Sequence, residues 1–180
     1  MCIRDRYLAM FPNWLIWNII NGPEGLKEYG CGDVRHSTNN FYIHTLHLKQ
    51  IIYFYYRSYP QYVALAKYIY QLAPVQQDQL YFWQGLYSFL IDNKVIDKIE
   101  AKGPNRNWPR ARFFGNLGQV FMRSGFGSED TYCLFITNAQ VTGHKHYDDN
   151  HFIIYKKGFL ALDTGTRDHG SHTTEYYNRT

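Results

Sequence analysis

The feature that most constrains this chain is a change of apolar period along it. From about Phe41 to Ile91 apolar side chains recur every three or four residues, whereas from Ala111 to Asp163 they alternate. The first spacing keeps one stripe of a helix apolar and the second keeps one face of a strand apolar. A polar stretch from Asp92 to Pro109, containing Gly103, Pro104 and Pro109, separates the two halves. The expected fold class is therefore α+β in two domains. A helical part covers 7–97, a linker 98–110, and an antiparallel strand part 111–180.

In the helical half the pattern predicts helices over Phe41–Arg57, Gln61–Leu72 and Gln77–Ile91, separated at Ser58-Tyr59-Pro60 and at Pro74. Such short connections join antiparallel neighbours. In the first helix Ile43, Leu46, His47, Ile51, Phe54 and Tyr55 form the expected buried stripe, so His44 and His47 read as packing or surface residues. Upstream, Tyr7 to Asn21 is apolar but interrupted by Pro12, which predicts a short helix and then an irregular segment. Residues 1–6, Met1-Cys2-Ile3-Arg4-Asp5-Arg6, resemble a translated sequencing adapter and are set aside as an artefact.

Two glycine clusters follow. Asn21-Gly22-Pro23-Glu24-Gly25 is a turn, and Tyr29-Gly30-Cys31-Gly32-Asp33 is a loop that lacks the phosphate-loop spacing and has no strand pattern before it. Arg35, His36, Asn39 and Asn40 come next. A bidentate Arg and neighbouring amides can grip a sugar carboxylate, and equally Ser37, Thr38 or Asn39 can cap a helix beginning near Phe41. In the strand half, Ala111–Phe114, Gln119–Ser124 and Thr131–Asn138 read as strands broken by Gly115, Gly118 and Gly125 to Gly127.

The net charge of +4 and sequence pI near 8.9 favour acidic partners. No Lys/Arg arm or nucleic-acid module is present, so nucleic acid is excluded. The 17 tyrosines suit either sugar stacking or a Tyr-lined helical core. Cys2, Cys31 and Cys133 form no pair spacing and no disulfide framework. No apolar run approaches the roughly 18 residues of a membrane span.

The chemistry is concentrated in Gly143-His144-Lys145-His146-Tyr147-Asp148-Asp149-Asn150-His151-Phe152. Beyond it, Phe152–Tyr155, Lys156-Lys157-Gly158 and Phe159–Asp163 read as strand, tight turn and strand. In an extended chain His144 and His146 share a face. A two-residue turn at Lys157-Gly158, with Gly at positive φ, pairs Lys156 with Phe159 and Phe152 with Asp163. Two imidazoles and a carboxylate brought together this way suit a metal such as zinc, and the same residues also suit a solvated, hydrogen-bonded turn.

From Arg112 to Thr180 the chain resembles the start of the C-terminal β-sandwich of the heparinase II/III family of polysaccharide lyases. The match runs through Gly143, His144, His146, Asp148, Phe152, Ile154, Tyr155, Gly158, Leu160, Ala161, Asp163 and Gly165. The resemblance implies an (α/α) toroid followed by that sandwich, with both ends cut. It puts His144 in the active-site cleft and gives His146 and Asp163 to a structural Zn2+. The third ligand is expected beyond Thr180, after the segment that begins at Tyr176, and the catalytic tyrosine upstream of the chain's start, with Tyr7 as the remote alternative. Gly32-Asp33 resembles a toroid loop near the cleft, which adds Arg35, His36 and Asn39 as candidates from that side.

The implied reaction is β-elimination at a uronic acid of an acidic polysaccharide, in a bacterial periplasmic or secreted enzyme whose fragment is itself inactive. His144 is the candidate for carboxylate neutralisation or proton transfer. Two rivals accompany this reading. One is a zinc metallohydrolase, because His144-x-His146-x-Asp148 resembles an HxHxDH run, although Asp149 stands where that run needs histidine. The other is a non-catalytic carbohydrate-binding sandwich.

Overall fold

The computed structural model describes residues 3–23, 25–29, 38–40, 45–73, 89–137 and 150–161. The fold is α+β, with helices α1 (Ile3–Asn18), α2 (Thr45–Tyr55), α3 (Pro60–Leu72) and α4 (Asn93–Asp97). Strands β1 (Ile19–Gly22), β2 (Gly25–Tyr29) and β3 (Thr38–Asn40) form one sheet, and β4 (Ala111–Phe114), β5 (Gln119–Arg123), β6 (Tyr132–Ile136), β7 (His151–Tyr155) and β8 (Phe159–Ala161) another. The chain divides into two compact units, 1–17 with 40–105 and 18–39 with 106–180. Among the described residues no helix is long and apolar enough to cross a membrane.

In the first unit, α2 and α3 bury Leu48, Ile52, Val63, Ala66 and Ile69 almost completely. Each large aliphatic side chain removed from water contributes about 1.5–3 kcal/mol. Pro60 begins α3, where its missing N–H costs nothing. The expected stripe on α2 is corrected here: Leu46 and Ile51 are buried, but His47 is exposed and Phe54 is 53% exposed. Pro12 does not end α1 either. It lies inside a helix whose Ala9, Leu15, Ile16 and Trp17 are buried, so apolar burial outweighs one lost hydrogen bond.

Most of the third expected helix lies outside the described residues, and at its end Phe89 and Leu90 form a turn. There Asp92 caps the short α4 by accepting from the Lys94 N–H at 2.9 Å. The stretch read as linker is not free along its first part. Lys102 N–H donates to the Ala64 carbonyl at 3.0 Å and Gly103 lies against the Tyr68 ring, which ties residues 102–103 to α3.

The second unit is built on an antiparallel meander in the order β4-β5-β6-β7-β8. Its inner face carries three cross-strand rows. They are Gln119–Ile136–His151, Phe121–Leu134–Ile153 and Arg123–Tyr132–Tyr155. Phe121, Leu134 and Ile153 are fully buried. The β1–β2 hairpin, absent from the sequence expectation, packs against this face. Arg123, on β5, donates from its guanidinium to the Ile19 carbonyl, and the Tyr155 hydroxyl, on β7, meets Gly22. Ile19 and Gly22 therefore touch strands two apart, so β1 crosses the sheet strands. Any side chain at Gly22 collides with Tyr155, and Gly25 takes the positive φ of 101° that closes the hairpin.

The outer face is different. Its rows, Phe113–Val120–Phe135–Phe152 and Ala111–Met122–Cys133–Ile154–Ala161, contain no polar side chain. Phe113, Met122 and Phe152 are 63, 41 and 49% exposed.

The β5–β6 loop is closed by one carboxylate. Asp130 accepts from the Gly127 N–H and the Ser124 hydroxyl, each at 2.9 Å, and Ser124 in turn accepts from the Thr131 N–H at 2.8 Å. The Gly127 N–H foremost, with Ser124 and the charges of Lys156 and Arg110, holds the Asp130 carboxyl below its ordinary value against the opposing effect of burial, second in size only to that of Gly127. A group whose pKa is lowered by folding contributes stability above its unfolded value and loses it as pH falls through the folded one. Asp130→Asn is thus expected to cost about 1 kcal/mol at neutral pH. The difference from wild type should shrink from about pH 4 downward. Urea denaturation at a series of pH values checks both.

Candidate functional site

The His-rich run is held between two strand ends. β6 finishes at Ile136, β7 starts at His151, and these two residues are cross-strand partners. The Asn150 N–H donates to the Ile136 carbonyl at 2.8 Å, with Asn150 at a left-handed φ of 64°. Thr137 donates to the Gly118 carbonyl from its N–H at 2.6 Å and from its hydroxyl at 3.2 Å. The connection 138–149 thus leaves and re-enters the sheet at one end, beside the 3-10 turn Gly115–Leu117. Because β8 runs antiparallel to β7, its C-terminal end at Ala161 points to that same end.

His144, His146 and Asp163 themselves lie outside the described residues, as do Arg35 and His36. Asn39 is described in its backbone only, as the middle residue of β3. β2 and β3 are neighbours in their sheet and flank the connection 30–37. The glycine loop is therefore preceded by a strand, β2, contrary to the sequence expectation. Of the six, only Asn39 is described, and β3, which carries it, lies in the second unit.

The hairpin register departs from expectation in detail. Tyr155, not Lys156, pairs with Phe159, and Lys157, not Gly158, takes the left-handed conformation at φ 57°. The Lys156 N–H closes the turn onto the Gly158 carbonyl at 2.9 Å. A bulge then brings Ile154 opposite Ala161, which restores the offset of the expected pairing. The tip is clamped to the β5–β6 loop. Lys156 Nζ donates to the Glu129 carbonyl at 2.6 Å, and Lys157 Nζ lies 2.5 Å from Glu129 Oε2.

Alternation divides the run between faces. By register His151 belongs to the inner-face row and Phe152 to the outer one, yet the two rings stack with centroids 6.2 Å apart, and His151 Nε2 is buried with no hydrogen-bond partner among the described residues. Among the described residues no three His, Cys, Asp or Glu side chains converge as a metal site. Cys133 lies half-buried on the outer face, and burial pushes its thiol pKa up, which keeps it protonated and unreactive.

No protein-family model matches this chain, and no curated protein matches it by sequence.

Proposed function

We propose that the chain is part of a polysaccharide lyase that cleaves a uronic-acid polysaccharide by β-elimination, with α2 and α3 belonging to an (α/α) toroid and the five-stranded sheet to a β-sandwich. The observation that carries this reading is the β6–β7–β8 arrangement. The connection bearing His144 and His146 opens at the sheet end toward which β8 leads, two residues before Asp163. The pairing of Ile154 with Ala161 has β8 running toward the Phe152 end of β7. The outer face adds support, since its exposed apolar rows call for a second layer, as in a sandwich.

In this reading His144 neutralises the uronate carboxylate or moves a proton, and Arg35, His36 and Asn39 grip the carboxylate. A base removes the proton at C5, the C4–O bond breaks, its electrons leave with the oxygen, and an acid protonates that oxygen as a C4=C5 double bond forms. Neutralising the carboxylate stabilises the negative charge that develops at C5. His146 and Asp163 offer nitrogen and carboxylate donors of the kind zinc accepts. Zinc held by them would have a structural role, joining the segment that follows β8 to the 138–149 connection. A basic chain acting on an acidic polymer suits a secreted or periplasmic enzyme.

The full-length protein acting on alginate or a glycosaminoglycan is expected to generate an unsaturated uronate absorbing in the near ultraviolet. Depolymerisation that produced new reducing ends with no absorbance would replace the lyase reading with the metallohydrolase.

A further inference from the structure

The two cross-strand rows on the outer face of the five-stranded sheet differ in bulk. One carries the rings of Phe113, Phe135 and Phe152, and the other carries Ala111, Cys133 and Ala161 among its members. Phe113, Met122 and Phe152 are exposed on this face. With strands about 4.8 Å apart and a rise of about 3.3 Å per residue, the face spans about 400 Å2. A contiguous apolar patch of that extent marks an interaction surface. Residues 164–180 contain no Val, Ile, Leu, Met or Phe, so the sequence after Asp163 offers no apolar strand pattern to lay on it.

We infer that this face pairs with the same face of a second copy of the chain, which supplies the second layer. The two rows hold no charged side chain, so two chains of net charge +4 meet here without opposing their cations. The rows also complement each other. A two-fold axis lying between the sheets and running across the strands sets each strand over its own copy with the direction reversed. The phenylalanine row of one copy then lies over the smaller row of the other. Phe113 faces the partner's Ala111, and Val120 faces the partner's Met122. Phe135 likewise faces the partner's Cys133, and Phe152 the partner's Ile154. Every pair joins a larger side chain to a smaller one, as dense packing requires. The footprint is about half of the roughly 800 Å2 that each partner gives to a standard interface, so the dimer is a reversible one. The inference takes from the lyase reading only that the face needs a second layer.

Sedimentation equilibrium of the 180-residue chain should show monomer and dimer exchanging with a Kd on the order of 10–100 µM. Met122→Lys and Val120→Glu each bury a charge at the contact, and each should raise that Kd about tenfold or more with unchanged circular dichroism. Mixed in equal amounts, the two variants should recover the dimer, because the axis sets Met122 of one copy against Val120 of the other. Phe89→Lys, at an 87% exposed phenylalanine in the other unit, should dimerise as wild type does. The inference is overturned by a chain that stays monomeric at about 500 µM, by a dimer that neither outer-face variant weakens, or by equal weakening in Phe89→Lys. A mixture that fails to recover the dimer also overturns it. These masses are measured without polysaccharide, so the pairing can fail while β-elimination stands, and the reverse.

Discussion

His144→Ala is expected to lower turnover of the full-length enzyme by about 10² to 10⁴, the scale for losing a positioned acid–base group. Zinc content and melting temperature should stay near wild type. His146→Ala and Asp163→Ala are expected to fail in the other way. Each removes one of about three protein ligands, so bound zinc and melting temperature should fall together, because metal-binding energy is part of the folding energy. The contrast is demanding because His144 and His146 lie two residues apart in one connection, between the paired ends Ile136 and His151. Elemental analysis beside a rate assay separates them. Zinc lost from His144→Ala, or fully retained in both other variants, would show that the roles are assigned to the wrong residues.

Arg123→Ala is expected to destabilise the second unit by about 2–5 kcal/mol, the range for truncating a large buried side chain. Arg123 is 7% exposed, with its guanidinium 4.6 Å from the Tyr132 ring centroid and 5.0 Å from that of Phe126. It also donates to the Ile19 carbonyl, so its loss removes a bond between the β1–β2 hairpin and the sheet. Burial depresses its pKa to about 10, with the nearby Tyr132 and Asp130 acting in the opposite direction. It therefore stays charged at neutral pH. Since the folded chain holds this proton less tightly than the unfolded one, stability should rise as pH climbs above about 10, in the same sense as for Asp130 but in an alkaline window. Arg123→Lys keeps the charge but not the flat stacking surface, and should recover only part of the loss. Thermal melts in which Arg123→Ala matched wild type would remove the hairpin anchor from this account.

The sheet was the legible half of the chain. β5 to β7 alternate between buried and more exposed residues, and Ala111–Phe114 is the strand the pattern predicts. The β1–β2 hairpin was hidden because Ile19 and Ile20 continue the apolar run of α1 with no polar break, even though the Asn21–Gly25 turn stood out. Periodicity also misplaced His47 and Phe54, since it reports that a stripe is apolar but not whether a neighbouring element covers it. At the β7–β8 turn, composition pointed to glycine for the left-handed residue and the chain uses Lys157, with the adjoining bulge absorbing the offset. The candidate site was legible only as a motif. His144, His146 and Asp163 lie outside the described residues, and neither the period of 2 nor that of about 3.6 specifies how such donors converge.

The central claim is that a C–O bond is broken by elimination, without water entering the product. Mass spectrometry of the oligosaccharides released by the full-length protein tests this most directly. The account predicts fragments whose non-reducing uronate is lighter by one water than the intact sugar, formed by wild type and nearly lost in His144→Ala. Fragments carrying the full mass of hydrolysis would contradict it.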